Sequence, residues 1–313
     1  MIPASKLVFF IVDMILPITI GYWIRRSNIL RPEIPDYMME IGIVIVEPIL
    51  ACLSFWIIPL ETQLVWLLIF GTIMVFAPGI IASSIAKRKF QNPLERGGFI
   101  LGAMLSNRGV IGMLTVFAIY GEIGYALVQI AMITGPLILY LYCFPLAEHY
   151  YQSFYHSKKK RDPILSIFIN RRQMPMLGIA LGITLNILNI DRPSVAGILF
   201  PYLVHASAWL FVIPVGYSIE FHEIKTYWKK TLDILWIKFI LTPLLIFILL
   251  QIMNIGQPAS QVIMILAFAP TAIYAVVTAR LFKLNVHVPM TAFLLTTFVY
   301  FIFVLPLIFR WFR

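Results

Sequence analysis

A chain of 313 residues that is 61% hydrophobic and only 12% charged, with a mean hydropathy of +0.91, cannot keep its apolar surface out of water as a soluble domain. It is an integral membrane protein, and apolar runs of about 20 residues, rather than alternating ten-residue segments, select helices over a β-barrel. The net charge of +10 does not point to nucleic acid, because the basic residues sit in short loops between apolar spans, as orientation signals do.

Ten spans are expected in chain order, at 5–24, 38–58, 64–86, 98–120 and 123–147, then at 174–190, 197–219, 231–253, 261–280 and 288–309. The first is read as a membrane helix and not a cleaved signal, since no small-residue cleavage site follows it. With the N-terminus outside, all but six of the 24 Lys and Arg residues fall in cytoplasmic loops; the exceptions are Lys6, Arg192, Arg310 and Arg313 outside and Arg108 and Lys238 within spans. The bias places both termini on the extracytoplasmic side of the cell membrane. A basic loop at 149–173, with Lys158, Lys159, Lys160 and Arg161, sets topology and is suited to anionic lipid. It divides the chain into a five-helix half at 1–148 and another at 174–313. An odd number of spans per half makes the halves antiparallel, so the expected fold is all-α with two inverted five-helix repeats.

The fourth span of each half carries a break. Asn107-Arg108-Gly109 in span four and Pro270 in span nine each lie about 15 Å deep, near the middle of a ~30 Å core. The first break offers a polar side chain, a charge and a glycine free to take positive φ. The second has a proline that removes a donor, frees a carbonyl one turn back and suits the first turn of a new half-helix. A charge at that depth costs about 2.5 to over 10 kcal/mol and is a functional-site candidate. Half-helices starting at the midplane aim unpaired N–H groups and a partial positive charge into the gap, so two such ends beside Arg108 make a site for a small anion. A simple proline kink at Pro270 and a structural ion pair at Arg108 are the plain alternatives. Thr271, Tyr274 and Thr278 follow the break at i, i+3 and i+7 and are expected to share a face of span nine, lining the site or bonding across helices.

Other polar residues lie in the spans. Glu47, about ten residues deep and followed by Pro48, is the best internal counter-ion for Arg108 or else a coupling residue; Asp13 is the second candidate for either role. Lys238 is within snorkelling reach of the cytoplasmic face, and His205 is expected to be a satisfied interior histidine. Cys52 and Cys143 give neither a disulfide framework nor a metal-ligand spacing.

The breaks carry a resemblance. Span four reads Asn107, Gly109, Gly112 and Leu114, ending Ile119-Tyr120-Gly121-Glu122-Ile123-Gly124, and span nine reads Ala269-Pro270-Thr271-Ala272 through Ala279-Arg280. These runs resemble the auxin efflux carrier family, with Pro48, Thr296-Thr297 and Pro306 fitting more loosely. Leu114 stands where that family has proline, and Arg108 and Glu47 are not typical of it. The resemblance implies that helices four and nine cross at their breaks, that the chain divides into scaffold and transport domains moving as an elevator, and that the substrates are small carboxylates such as auxin-like acids or malate- and malonate-like dicarboxylates.

Rival classes fit less well. A cation/proton antiporter of related fold would want carboxylates close together, and Arg108 repels a cation. A zinc protease lacks a second histidine after His222-Glu223. Matched midplane breaks argue against a plain receptor. The expectation is a secondary transporter, not an enzyme, for a small organic anion bound by Asn107, Arg108, Gly109, Pro270, Thr271 and Tyr274. No cofactor or metal is implied; a proton or sodium as coupling ion, and a homodimer, stay open.

Overall fold

The computed structural model describes residues 8, 11–27, 31, 33–59, 64–155, 174–219 and 224–312. Lys6, His222-Glu223 and most of the basic loop, including Lys158, Lys159, Lys160 and Arg161, lie outside them. The helices are α1 (11–27), α2 (Ile34–Ile57), α3 (Leu64–Lys89), α4 (Pro93–Met104), α5 (108–132), α6 (135–155), α7 (Met174–Ile187), α8 (Ser194–Tyr217), α9 (Lys225–Met253), α10 (Ala259–Ala267), α11 (Ile273–Leu281) and α12 (His287–Trp311). No strand occurs among the described residues; the sole β feature there is one isolated antiparallel bridge. Among the described residues, six stretches are long and apolar enough to cross a bilayer: α2, α3, Arg108–Tyr155, α8, α9 and α12.

The stretch Arg108–Tyr155 has 48 residues, roughly 72 Å if straight and more than twice a membrane core. Gly121 divides it, at φ +60 and ψ −144, a conformation that L side chains rarely adopt. The division falls where spans four and five were expected to part. Span five, expected to end at 147, continues instead through Tyr155 as helix, so the first residues of the expected loop are helical.

Prolines shape the helices. Wide turns at Ile11–Ile15, Gly42–Val46, Leu139–Cys143, Ile237–Leu241 and Tyr300–Val304 each end two residues before a proline: Pro17, Pro48, Pro145, Pro243 and Pro306. Proline has no N–H and its ring crowds the carbonyl four residues back. The last residue before several of these α-helical turns therefore reaches five back, as Glu47 N–H does to the Gly42 carbonyl and Thr242 N–H to the Ile237 carbonyl. A sixth wide turn, Arg108–Gly112, has Leu114 at the corresponding place.

The chain forms two compact units: 1–61, 116–129 and 162–219, and 62–115, 130–161 and 220–313. In the first, α2 lies along α7 and α1 along α8. Backbones touch there: a Cβ on Gly178 would meet the Pro48 carbonyl at 2.1 Å, one on Gly21 the Ile213 carbonyl at 2.1 Å, and one on Gly216 the Ile18 carbonyl at 2.2 Å. Such close approach supplies the packing that drives helix association in lipid. Asn186 closes the end of α2, its amide donating to the carbonyls of Phe55, Trp56 and Ile58. In the second unit, α3, α4, α6, α9, α11 and α12 share a core that includes Phe90, Phe99, Ile100, Met104, Ile237, Ala275 and Val288.

Candidate functional site: a crossover of two broken helices

The fourth and ninth expected spans are both broken, and each break completes the other. α4 starts at Pro93, with Asn92 Oδ1 accepting from Leu94 N–H at 2.9 Å, and runs to Met104. Leu105 turns extended (φ −85, ψ 110). α5 then opens at Arg108, capped by Asn107, whose Oδ1 accepts from Ile111 N–H at 3.4 Å. α10 ends at Ala267, and α11 opens at Ile273 after an extended Ala272. Asn107 N–H donates to the Pro270 carbonyl at 2.7 Å and Ala272 N–H to the Leu105 carbonyl at 2.8 Å, which sets Ser106 opposite Thr271 in one antiparallel rung. Thr271 fixes the rung from two sides: its Oγ1 donates to the Gly102 carbonyl at 2.9 Å, and its N–H to Thr296 Oγ1 at 3.0 Å. Without water in a bilayer core, backbone groups freed by a break need partners. Two helices broken at one level supply them to each other.

The rung brings two helix N-termini to one place, since Arg108 lies two residues beyond Ser106 and Ile273 two beyond Thr271. Their partial positive ends favour an anion. Arg108 is 6% exposed. Its Nη1 donates to the Gly71 carbonyl of α3 at 2.7 Å, and its Nε is buried with no partner. α3 and α5 press together there, for a Cβ on Gly71 would come 1.8 Å from the Ala131 carbonyl oxygen.

The site residues expected from sequence fall as follows. Asn107, Arg108, Pro270 and Thr271 are brought together at the rung. Gly109 is helical, not at positive φ; the positive-φ glycine among the described residues is Gly121. What Gly109 contributes is size, because a Cβ there would meet Met132 Cε at 2.9 Å. Pro270 does not open the half-helix, which begins three residues later; its own carbonyl takes the Asn107 N–H. Thr271 does not share a helical face with Tyr274 and Thr278, because it belongs to the extended link. Tyr274 and Thr278 are on α11, where Thr278 Oγ1 donates to the Tyr274 carbonyl at 2.8 Å.

Lys238 corrects another expectation. It does not snorkel. It is 1% exposed, and its Nζ donates to Ser106 Oγ at 2.6 Å, within the field of Arg108. Depth in the span suggested the membrane face, but an acceptor lay closer. Lys238, Ser106 and Thr296 are therefore crossover residues that sequence reasoning did not assign. The signal for Lys238 was present, as a second cation inside an apolar span.

Glu47 and Asp13 belong to the first compact unit. The hydroxyls of Ser207 and Tyr125 donate to the Glu47 carboxylate at 2.7 and 3.2 Å. Asp13, fully buried, lies 2.5 Å from His205 Nδ1 and accepts from Trp209 Nε1 at 3.2 Å. His205, expected to be satisfied, has this partner. At 100° per residue, His205 and Trp209 point one way from α8 and Ser207 nearly the other, so α8 serves two carboxylates on opposite faces, Asp13 buried and Glu47 half-buried. Both carboxylates sit at proline-widened turns: Asp13 within Ile11–Ile15, and Glu47 directly after Gly42–Val46.

No protein-family model matches the chain, and its likeness to the auxin efflux carriers rests on the span-four and span-nine motifs. The chain is similar to an uncharacterized transporter of Methanocaldococcus jannaschii, 22% identical over an alignment of 294 residues, with 91% of this chain and 92% of that one covered.

Proposed function

We propose that the chain is a secondary active transporter of a small organic anion, most simply a carboxylate, working by alternating access of elevator type. The observation that carries this reading is the crossover: two half-helix N-termini meeting at the Ser106–Thr271 rung beside the buried guanidinium of Arg108. Charge and dipoles of one sign, preorganised away from water, suit a carboxylate. A transporter reading is supported independently by the end-to-end likeness to the archaeal protein called a transporter and by the apolar helices.

Asn107, Arg108, Gly109, Pro270, Thr271 and Tyr274 form the substrate site in this reading. Glu47 and Asp13 balance charge or carry a coupling proton, and sodium is the other coupling ion to test. Ten crossings in two inverted repeats are favoured because each compact unit draws on both halves of the chain: α1, α2 and residues 116–129 of α5 with α7 and α8 in one, and α3, α4, the two ends of α5 and α6 with α9 to α12 in the other. The unit holding the crossover is then the moving body, in a cell-membrane protein with both termini outside.

The test is uptake by proteoliposomes offered a panel of mono- and dicarboxylates, with and without a pH gradient. Saturable uptake of at least one is expected. Arg108→Ala removes charge-assisted hydrogen bonding of about 1.5–3 kcal/mol, roughly a ten- to hundredfold loss of affinity. Saturable transport with unchanged affinity in Arg108→Ala would remove Arg108 from the site.

A further inference from the structure

We infer that Glu47, Gln129, Ser207 and Tyr125 form a binding site for one small monovalent cation, sodium, within the first compact unit. The inference concerns that unit alone, and it goes beyond the transporter reading without depending on it.

The site is one carboxyl ringed by neutral oxygens. Ser207 Oγ lies 2.7 Å and Tyr125 Oη 3.2 Å from the Glu47 carboxyl oxygens. Phe117 and Phe200 meet the Tyr125 ring edge to face and hold its hydroxyl in place. Gln129, more than nine-tenths buried, reaches the same carboxyl with the donor end of its amide. The acceptor end, Oε1, is buried with no partner. Basic side chains of the unit are engaged elsewhere: Arg25 with the Tyr217 carbonyl, Arg192 with Glu122, and His205 with Asp13 on the opposite face of α8. α7, which lies along α2, carries no charged residue. A carboxyl set in an apolar span without a cationic partner holds a proton or an ion. A proton serves one pair of oxygens, whereas here a set of them converges. Hydroxyl hydrogens rotate, and the two ends of an amide are interchangeable in shape. The groups that now donate to Glu47 can therefore turn their oxygens inward. A half-turn of Gln129 would set two acceptors face to face, and an ion between them removes that repulsion and gives Oε1 its partner. Ligands that are all oxygen select a hard cation, as at the ion sites of coupled transporters. A single carboxylate selects a single charge. Among the described residues no group of three or more His, Cys, Asp or Glu gathers to hold a divalent ion.

The experiment uses the full chain in detergent and measures equilibrium binding of radiolabelled sodium at constant ionic strength, with choline replacing unlabelled sodium. Saturable binding is expected, displaced by sodium and not by choline, together with a thermal unfolding midpoint that rises with sodium and saturates. Glu47→Gln should abolish both effects. Gln129→Leu should weaken sodium about tenfold, the scale of one lost ligand contact. A measurement on the unaltered chain places the ion should the variants fail to fold. Sodium should slow the labelling of Glu47 by an apolar carbodiimide, read by peptide mass spectrometry, because the reagent attacks a protonated carboxyl and the ion takes the proton's place. Labelling of Glu47 that sodium leaves unchanged overturns the inference and assigns the carboxyl to a proton alone. Absence of saturable sodium binding, or binding kept at full affinity in folded Glu47→Gln, overturns it as well. Sodium binding at Glu47 without uptake of any carboxylate removes the transporter reading and leaves the cation site standing; carboxylate uptake without sodium binding does the reverse.

Discussion

Arg108 shows how one residue can hold a costly charge inside an apolar span. Its guanidinium spends one donor on the Gly71 carbonyl and keeps another buried and unmatched. Thr271 does the opposite work nearby, with both its hydroxyl and its N–H engaged. Thr271→Val keeps the shape and the N–H bond to Thr296 but orphans the Gly102 carbonyl, at a cost of about 1–3 kcal/mol. A lowered unfolding midpoint in detergent is expected, and an unchanged midpoint would mean that the hydroxyl bond is not made. Residue identity announced part of this. A charge beside Asn107 in an apolar run marked the break, because charges there are rare and expensive. Lys238 carried the same mark but was placed by depth alone, and depth does not reveal that Ser106 stands within reach. Pairwise proximity between spans is not a property of either span's sequence.

Between elements, the rung ties α4 and α5 to α10 and α11. Ser106 and Thr271 form the pair whose own backbone groups do not bond each other, the closer of the two antiparallel spacings at about 4.5 Å between Cα atoms, within disulfide range. Ser106→Cys with Thr271→Cys, in a background with Cys52→Ala and Cys143→Ala, should therefore crosslink under mild oxidant. Comparing oxidised with reduced forms of that one variant separates the crosslink from the substitutions. Equal transport is expected if the crossover travels as one piece, and transport restored only by reduction would mean that its strands part. The two breaks were legible from composition, since Asn107-Arg108-Gly109 and Pro270 interrupt otherwise apolar helices. Their pairing was legible only through the family resemblance. Proline also marked five of the wide turns, but the Arg108–Gly112 turn has Leu114 in that place. There Asn107 supplies the capping oxygen, and a sequence rule based on proline misses the turn.

At the scale of the whole molecule, apolar runs and loop charge gave the helices, while the compact units cut across the sequence halves; hydropathy locates helices and says nothing of their neighbours. The orientation expected from the basic residues is testable with single cysteines in the Cys52→Ala, Cys143→Ala background. Lys89→Cys and Lys229→Cys should react with an impermeant maleimide only after the membrane is opened, and Arg192→Cys without opening it. The reverse pattern would invert the orientation. The crossover also has a consequence for synthesis. Leu105 and Asn107 leave the ribosome long before Pro270 and Ala272, which carry their hydrogen-bond partners. At 5–20 residues per second, the first break waits on the order of ten seconds or more for the second. During that time its carbonyl and N–H have no mate in the chain, and the cost of leaving them dry in lipid is several kcal/mol each. The nascent first half must therefore spend that interval with its break in contact with water or with the insertion machinery, and it becomes a fully lipid-compatible body only when the ninth span arrives.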